Sequence, residues 1–199
     1  MTAPTDKKTH HHGDLRRALV KAGMELIREK GRAGLSLRAC AARVGVSHAA
    51  PKHHFGNLSG LLGAIALQGF EDFSQTMVEA REKASGNPRD RLIAIAHGYE
   101  AFAEENPDLL QLMFSGEVTF PDTPRLQPPA FDVLVETCAP FEPVSDAPYS
   151  TEIMIWSLIH GLVMLGRGRG FSPAKLPGGR PSFADILPDL KLRDPESRN

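Results

Sequence analysis

Apolar positions recur at three- and four-residue spacing along most of the chain, the period of helices with one buried face. Leu15, Leu19, Ala22, Met24, Leu26 and Ile27 make the first such stripe, with Arg16, Arg17, Lys21, Arg28 and Lys30 elsewhere on the surface. The pattern predicts a helix from about Asp14 to Lys30, stopped by Gly31. In residues 36–55 the pattern is shorter and tighter. Leu37, Cys40, Ala41 and Val44 share a face, Ser36 is placed to cap the helix they form, and Gly45 allows a tight turn. Val46 can plug the angle between two helices, and Ser47 is placed to cap the second. That second helix is short and polar, with His48, Lys52, His53 and His54; Pro51 fits only within its first turn.

A long helix follows from Leu58 to about Ala84, carrying Leu61, Leu62, Ile65, Phe70, Phe73 and Met77 on its apolar side. Ser85-Gly86-Asn87-Pro88 reads as a loop. A fifth helix is expected from Pro88 to Glu105, and Asn106-Pro107 breaks it before a sixth from Asp108 to Phe114. Prolines at 121, 124, 128 and 129 make residues 115–129 an irregular loop. A seventh helix is predicted from Ala130 to Cys138, a second Pro-rich loop to Pro148, and an eighth helix from Tyr149 to about Gly168. The eighth is apolar almost all round, the mark of burial on several sides. A last short helix is expected over Ser182 to Leu187. The fold class is therefore all-α.

At 199 residues and 41% hydrophobic, the chain can bury the core of one or two domains. Its net charge of −1 hides an asymmetry: residues 1–60 carry +7 and the remainder −8. A basic front on an acidic body points to a module that binds a polyanion. Cys40 and Cys138 lie far apart, which favours two buried, reduced thiols. The opening residues lack the apolar stretch of an export signal, and no apolar run approaches the roughly 20 residues a membrane span needs, so a cytoplasmic protein is expected. His10, His11 and His12 invite a metal reading, but no closed ligand set accompanies them, and neither metal nor cofactor is expected. No nucleophile–base pairing or Gly-rich phosphate loop is present, which argues against an enzyme.

The run "SLRACAARVGVSHAAPKHHFGNLSGLLGAIALQGF", preceded by "HHHGDLRRALVKAGMELIREKG", resembles the DNA-binding domain of TetR-family transcriptional regulators over about residues 10–70. The Trp156-x3-His160-Gly161 spacing resembles the W-x-x-x-H-G motif of one subfamily's C-terminal domain. The resemblance implies an N-terminal three-helix helix-turn-helix domain followed by a helical ligand-binding and dimerisation domain. It divides the chain into a disordered basic arm (1–9), the DNA-binding domain (10–57), the effector-binding and dimerisation domain (58–190) and a disordered tail (191–199). It also implies a homodimer that binds an inverted repeat in double-stranded DNA, as a repressor released by a small molecule. Two positions depart from the family: Lys52 stands where an aromatic, often Tyr, is common, and Asn57-Leu58-Ser59 replaces a charged start of the fourth helix.

The expected DNA-binding residues are Arg38, Ser47, His48, Ala49, Lys52 and His53. His48 and Ala49 would read base edges, Ala49 through a methyl contact with thymine. Ser47, with nearby backbone N–H groups, would hold phosphate, and Lys52, His53 and Arg38 would hold the backbone. Arg38, Arg43 and Lys52 exposed together would separate a DNA reader from a helical interaction module that no longer binds DNA. The effector pocket is expected around His97, Phe102, Met113, Phe114, Phe131, Trp156, His160 and Met164, a lining that suits an apolar or aromatic molecule. His160 is the polar anchor there or a satisfied core histidine.

Overall fold

The computed structural model describes residues 8–116, 118, 129–167 and 177–194, with side chains omitted at 8–13 and 167. Of the expected basic arm at 1–9, residues 1–7 lie outside the described residues and residues 8 and 9 belong to α1; the histidine side chains at 10–12, most of the first Pro-rich loop, and residues 168–176 and 195–199 also lie outside them. The elements are α1 (Lys8–Lys30), α2 (Leu37–Val44), α3 (Ala50–Phe55), α4 (Leu58–Lys83), α5 (Pro88–Glu105), α6 (Pro107–Met113), α7 (Pro129–Cys138), α8 (Ser150–Arg167) and α9 (Phe183–Ile186). A 3-10 turn at Arg32–Gly34 follows α1. Among the described residues the fold is all-helical, apart from one isolated antiparallel bridge between Phe141 and Leu192.

The punctuation residues work as their chemistry requires. Gly31 turns the chain after α1 at φ 65°. Ser36 Oγ accepts the Ala39 N–H at 3.0 Å and caps α2. Pro88 opens α5 and Pro107 opens α6, positions where the missing N–H costs nothing. The first helix corrects its predicted start. Gly13-Asp14 does not begin it; α1 already runs from Lys8, and Asp14 sits inside it, paired with Arg17 at 2.8 Å. A single internal glycine costs only about 1 kcal/mol relative to alanine and does not stop a helix that has no proline to break it.

The chain divides into two compact units: residues 1–70 with 106–126, and residues 71–105 with 127–199. In the first, Leu19, Ile27, Cys40, Ala41, Leu61 and Ile65 form a core at or near zero exposure. Gly23 lets α1 and α4 approach closely, since a Cβ there would lie 2.5 Å from Ile65 Cδ1. The sixth helix packs in this unit: Arg28 donates to Asn106 Oδ1 at 2.9 Å, and the Phe70 and Phe114 rings meet edge-on at 5.4 Å. In the second unit the core is built from the latter part of α4 with α5, α7, α8 and α9. Gly98 brings α5 against α4, where an added Cβ would lie 2.9 Å from Thr76 O. Arg81 joins α4 to α7 by donating to Glu136 Oε2 at 3.0 Å and Thr137 Oγ1 at 3.2 Å.

Candidate functional sites

The first candidate is the surface carried by α2 and α3. Gly45, in the left-handed region at φ 75°, ends α2; its N–H reaches Ala42 O and the Val46 N–H reaches Ala41 O, satisfying the last carbonyls. The chain then turns through Ser47–Ala50, with the Ala50 N–H on Ser47 O at 3.0 Å, and enters α3. Pro51 occupies the first turn and is buried. The cap expected from Ser47 is not formed. The residue at the helix boundary is Ala49, so the Ser47 hydroxyl stands two positions too early to serve α3.

Buried Pro51 and half-buried Ala50, His54 and Phe55 turn the opposite side of α3 outward. That side exposes Ser47, His48, Ala49, Lys52 and His53, with His48 and Lys52, and Ala49 and His53, each four residues apart. Arg38 is exposed at the start of α2. Arg43 and Lys52 are exposed with it, as expected, but Arg43 is also paired. Its guanidinium forks onto Glu29, with Nη1 2.6 Å from Oε1 and Nη2 bonded to Oε2, and Nη1 also reaches Glu25 at 3.5 Å. The hydrogen bond from Arg43 holds the Glu29 carboxyl below its ordinary value, and Glu29 in turn raises Arg43 further into its charged range. Arg43 is therefore a clasp between α2 and α1, and the basic patch reduces to Arg38, Lys52 and the histidines.

The end of α3 is fixed from two sides. Gly56, at φ 72°, returns its N–H to Lys52 O at 2.8 Å, and Asn57 Oδ1 accepts the Gly60 N–H at 2.9 Å, capping α4. The Arg16 guanidinium lies 5.4 Å from the centre of the Phe55 ring, a cation–π contact from α1 to the end of α3.

The second candidate is an aromatic cluster in the second unit. Phe73 sits at its centre, 4.6 Å from Tyr99, 5.2 Å from Phe102 and 6.5 Å from Trp156 between ring centroids. Phe131 continues the series, 6.1 Å from Trp156 and 5.5 Å from Tyr149. Tyr99, only 2% exposed, bonds its hydroxyl to His160 Nδ1 at 2.6 Å. Burial lowers the His160 pKa and raises that of Tyr99, so both groups are held neutral. The pair is a hydroxyl–imidazole link inside an otherwise apolar, aromatic wall.

Residues 19–65 match the family of bacterial regulatory proteins, tetR family, and residues 92–190 match the tetracyclin repressor-like C-terminal domain. The chain belongs to the TetR family of transcriptional regulators. A TetR-family relative, the HTH-type transcriptional regulator BetI of Stenotrophomonas maltophilia, is 32% identical over 83 residues, 42% of each chain. The chain spans about half the length of the curated relatives it matches. Among solved structures, a Rhodococcus sp. protein of unknown function superposes with a TM-score of 0.62 at 30% identity, covering 81% of this chain and 87% of that one. A possible TetR family regulator from Streptomyces coelicolor shares the fold, with a TM-score of 0.55 at 19% identity over 82% of this chain and 74% of that one. The matched N-terminal family and the curated relatives are named as regulatory proteins or transcriptional regulators.

For this TetR-family chain the structure sorts the expected pocket residues into three groups. Phe102, Phe131, Trp156 and His160 meet in the aromatic cluster, and Met164 lies half-buried one turn beyond His160 on α8. Met113 and Phe114 pack in the first unit, beside Gly69 and Phe70. His97 lies exposed on α5. The sequence reading missed Tyr99 as the partner of His160. The available signal was a hydroxyl on the apolar stripe of the fifth helix, which needs a hydrogen-bond partner once buried. It also missed Gly60. Both cysteines are buried thiols: burial raises Cys40, and burial with the Glu152 charge pushes Cys138 up to about 12. Among the described residues no helix is long and apolar enough to cross a membrane, and no three His, Cys, Asp or Glu side chains cluster as metal ligands.

Proposed function

We propose that this TetR-family chain is a DNA-binding transcriptional regulator, a repressor in the cytoplasm that acts as a homodimer on an inverted repeat. The observation that supports the reading best is the exposed polar face of α3, with Ser47, His48, Ala49, Lys52 and His53 outward and Pro51 buried beneath it. His48 and Ala49 meet base edges in the major groove, while Lys52, His53 and Arg38 hold phosphates and Ser47 adds a hydroxyl donor at the groove's edge. Lys52 acts as a mobile point charge where the family commonly has an aromatic residue, so it adds affinity without sequence information.

Two chains related by a two-fold axis present two such faces to half-sites of opposite direction. The aromatic cluster of the second unit, with the Tyr99–His160 link as its polar anchor, takes a small aromatic or apolar effector. Phe102, Phe131, Trp156 and Met164 supply apolar contact, and the imidazole and hydroxyl orient one polar group of the molecule. Binding there releases the repressor by favouring a state with lower affinity for the operator. The first test is retention of genomic fragments from around the coding region by the purified chain, with competitor DNA, at two salt concentrations. Retention of one fragment containing an inverted repeat is expected. Equal, weak retention of every fragment that vanishes with modest salt contradicts the reading.

A further inference from the structure

Arg180 is one of the points at which the segment ahead of α9 meets the second unit. Arg180 Nη2 donates to Glu100 Oε1 at 2.9 Å and to the Leu162 carbonyl at 3.1 Å. Its guanidinium also lies over Gly166, where an added Cβ would stand 3.2 Å from both Cζ and Nη1. Glu100 follows Tyr99 on α5, and Leu162 lies two residues beyond His160 on α8. The arginine therefore joins α5 to α8 within about one turn of the Tyr99–His160 hydrogen bond. Both partners of the ion pair are about seven-tenths covered, with side chains 31% and 26% exposed. A carboxylate–guanidinium pair in that setting is screened less than one on open surface. A cation beside the last turns of α8 also meets the negative end of the helix dipole.

The strand of chain that carries Arg180 is itself anchored further on. Ser182 and Asp185 form a capping box for α9, Phe183 and Leu187 are buried, and Arg89 of α5 donates to the carbonyls of Leu187 and Pro188. Arg180 lies on an exposed turn, and the capped, buried segment that begins two residues later ties that turn down.

We infer that Arg180 is a positioning residue for the sensor cluster, fixing α5 against α8 so that Tyr99 and His160 keep their hydrogen bond and present one defined polar anchor. The inference rests on the reading of that cluster as the effector site. No contact between Arg180 and an effector is implied; the arginine acts through Glu100, the Leu162 carbonyl and the Gly166 floor. Loosening it widens the gap at the hydroxyl–imidazole link, admits water to His160, and blurs the geometry an effector would meet.

The test is an NMR titration of the His160 imidazole in the full chain, assigned with His160→Gln, alongside binding of the aromatic dye anilinonaphthalene sulfonate. Arg180→Ala removes the lock. Gly166→Ala displaces the guanidinium by filling its floor while leaving the charge in place, and serves if the first variant folds poorly. Both variants are expected to move the His160 titration upward, toward the ordinary imidazole value of about 6.5. Arg180→Lys, which keeps a charge but not the fork, falls between. An unchanged titration in both variants, even with a lowered melting temperature, reduces Arg180 to a stability contact and overturns the inference. Dye that binds the wild-type chain without perturbing His160 counts against the effector reading instead, and the titration still decides the role of Arg180.

Discussion

Phe55 and Gly60 meet backbone to backbone: a Cβ at position 60 would lie 2.1 Å from the Phe55 carbonyl oxygen and 3.1 Å from its carbon. This approach sets the first turn of α4 directly on the end of α3, with Asn57 capping the junction through Gly60's own N–H. The end of α3 and the start of α4 are therefore joined closely, and the join depends on the absence of a side chain at Gly60.

Gly60→Ala is expected to destabilise the head by about 1–3 kcal/mol, because backbone rather than a flexible side chain must move to admit the methyl group. Gly86→Ala is the control, since an added Cβ there meets nothing within 4 Å. Thermal unfolding of the two variants should differ clearly. Equal melting temperatures would show that the junction relaxes freely.

Lys52→Ala is expected to weaken binding to all DNA sequences and to lower the slope of log affinity against log salt by about one. His48→Ala should change the preference among sequences instead. The check is fluorescence anisotropy across a salt series with an operator fragment and a scrambled one. A loss for Lys52→Ala confined to one sequence would contradict its assignment to the phosphate backbone.

The Glu29–Arg43 clasp carries a sign in pH. The folded Glu29 carboxyl titrates below its ordinary value because of the hydrogen bond from Arg43, so the pair stabilises the head above the unfolded value of about 4.3. That contribution disappears as pH falls through the folded value. Glu29→Gln should flatten the loss of stability on acidification from about pH 5 downward. The groups are exposed, so the effect is modest. Parallel urea midpoints for wild type and variant over that range test it; identical pH dependence would place the clasp outside the stability balance.

His160 gives the same sign in pH from a different cause. Burial lowers its folded value, so the neutral form is the one the fold favours, and stability falls as pH drops from about 6.5 toward the folded value. His160→Gln should flatten that slope between about pH 7 and pH 5. A slope that survives the substitution would assign the dependence to another group.

Helix punctuation was largely legible before the structure. Ser36 caps, Gly45 turns, and Asn87-Pro88 and Asn106-Pro107 divide the helices where local chemistry requires. These are signals carried by a residue and its immediate neighbours. The illegible features all depend on partners distant in sequence. Arg43 is exposed as expected, but its pairing with Glu29, fourteen residues earlier, had no local signal. Met113 and Phe114 lie against Gly69 and Phe70, neighbours that periodicity could not name, since it shows which face of a helix is buried and not which helix covers it. Tyr99 and His160 are separated by sixty-one residues, and only the packing of α5 on α8 brings the hydroxyl to the imidazole. The failed Ser47 cap is a local miss of another kind, caused by a helix that begins two residues later than its hydroxyl.

The most direct test of the central claim is a footprint of the full chain on the genomic fragment it retains, with the mass of the complex measured on the same fragment. The account predicts protection of two half-sites in inverted orientation, two chains bound per site, and loss of the footprint in Lys52→Ala at a salt concentration the wild type tolerates. Diffuse protection with no repeat, or one chain bound at a single unpaired site, would contradict a two-fold regulator that reads DNA through α3.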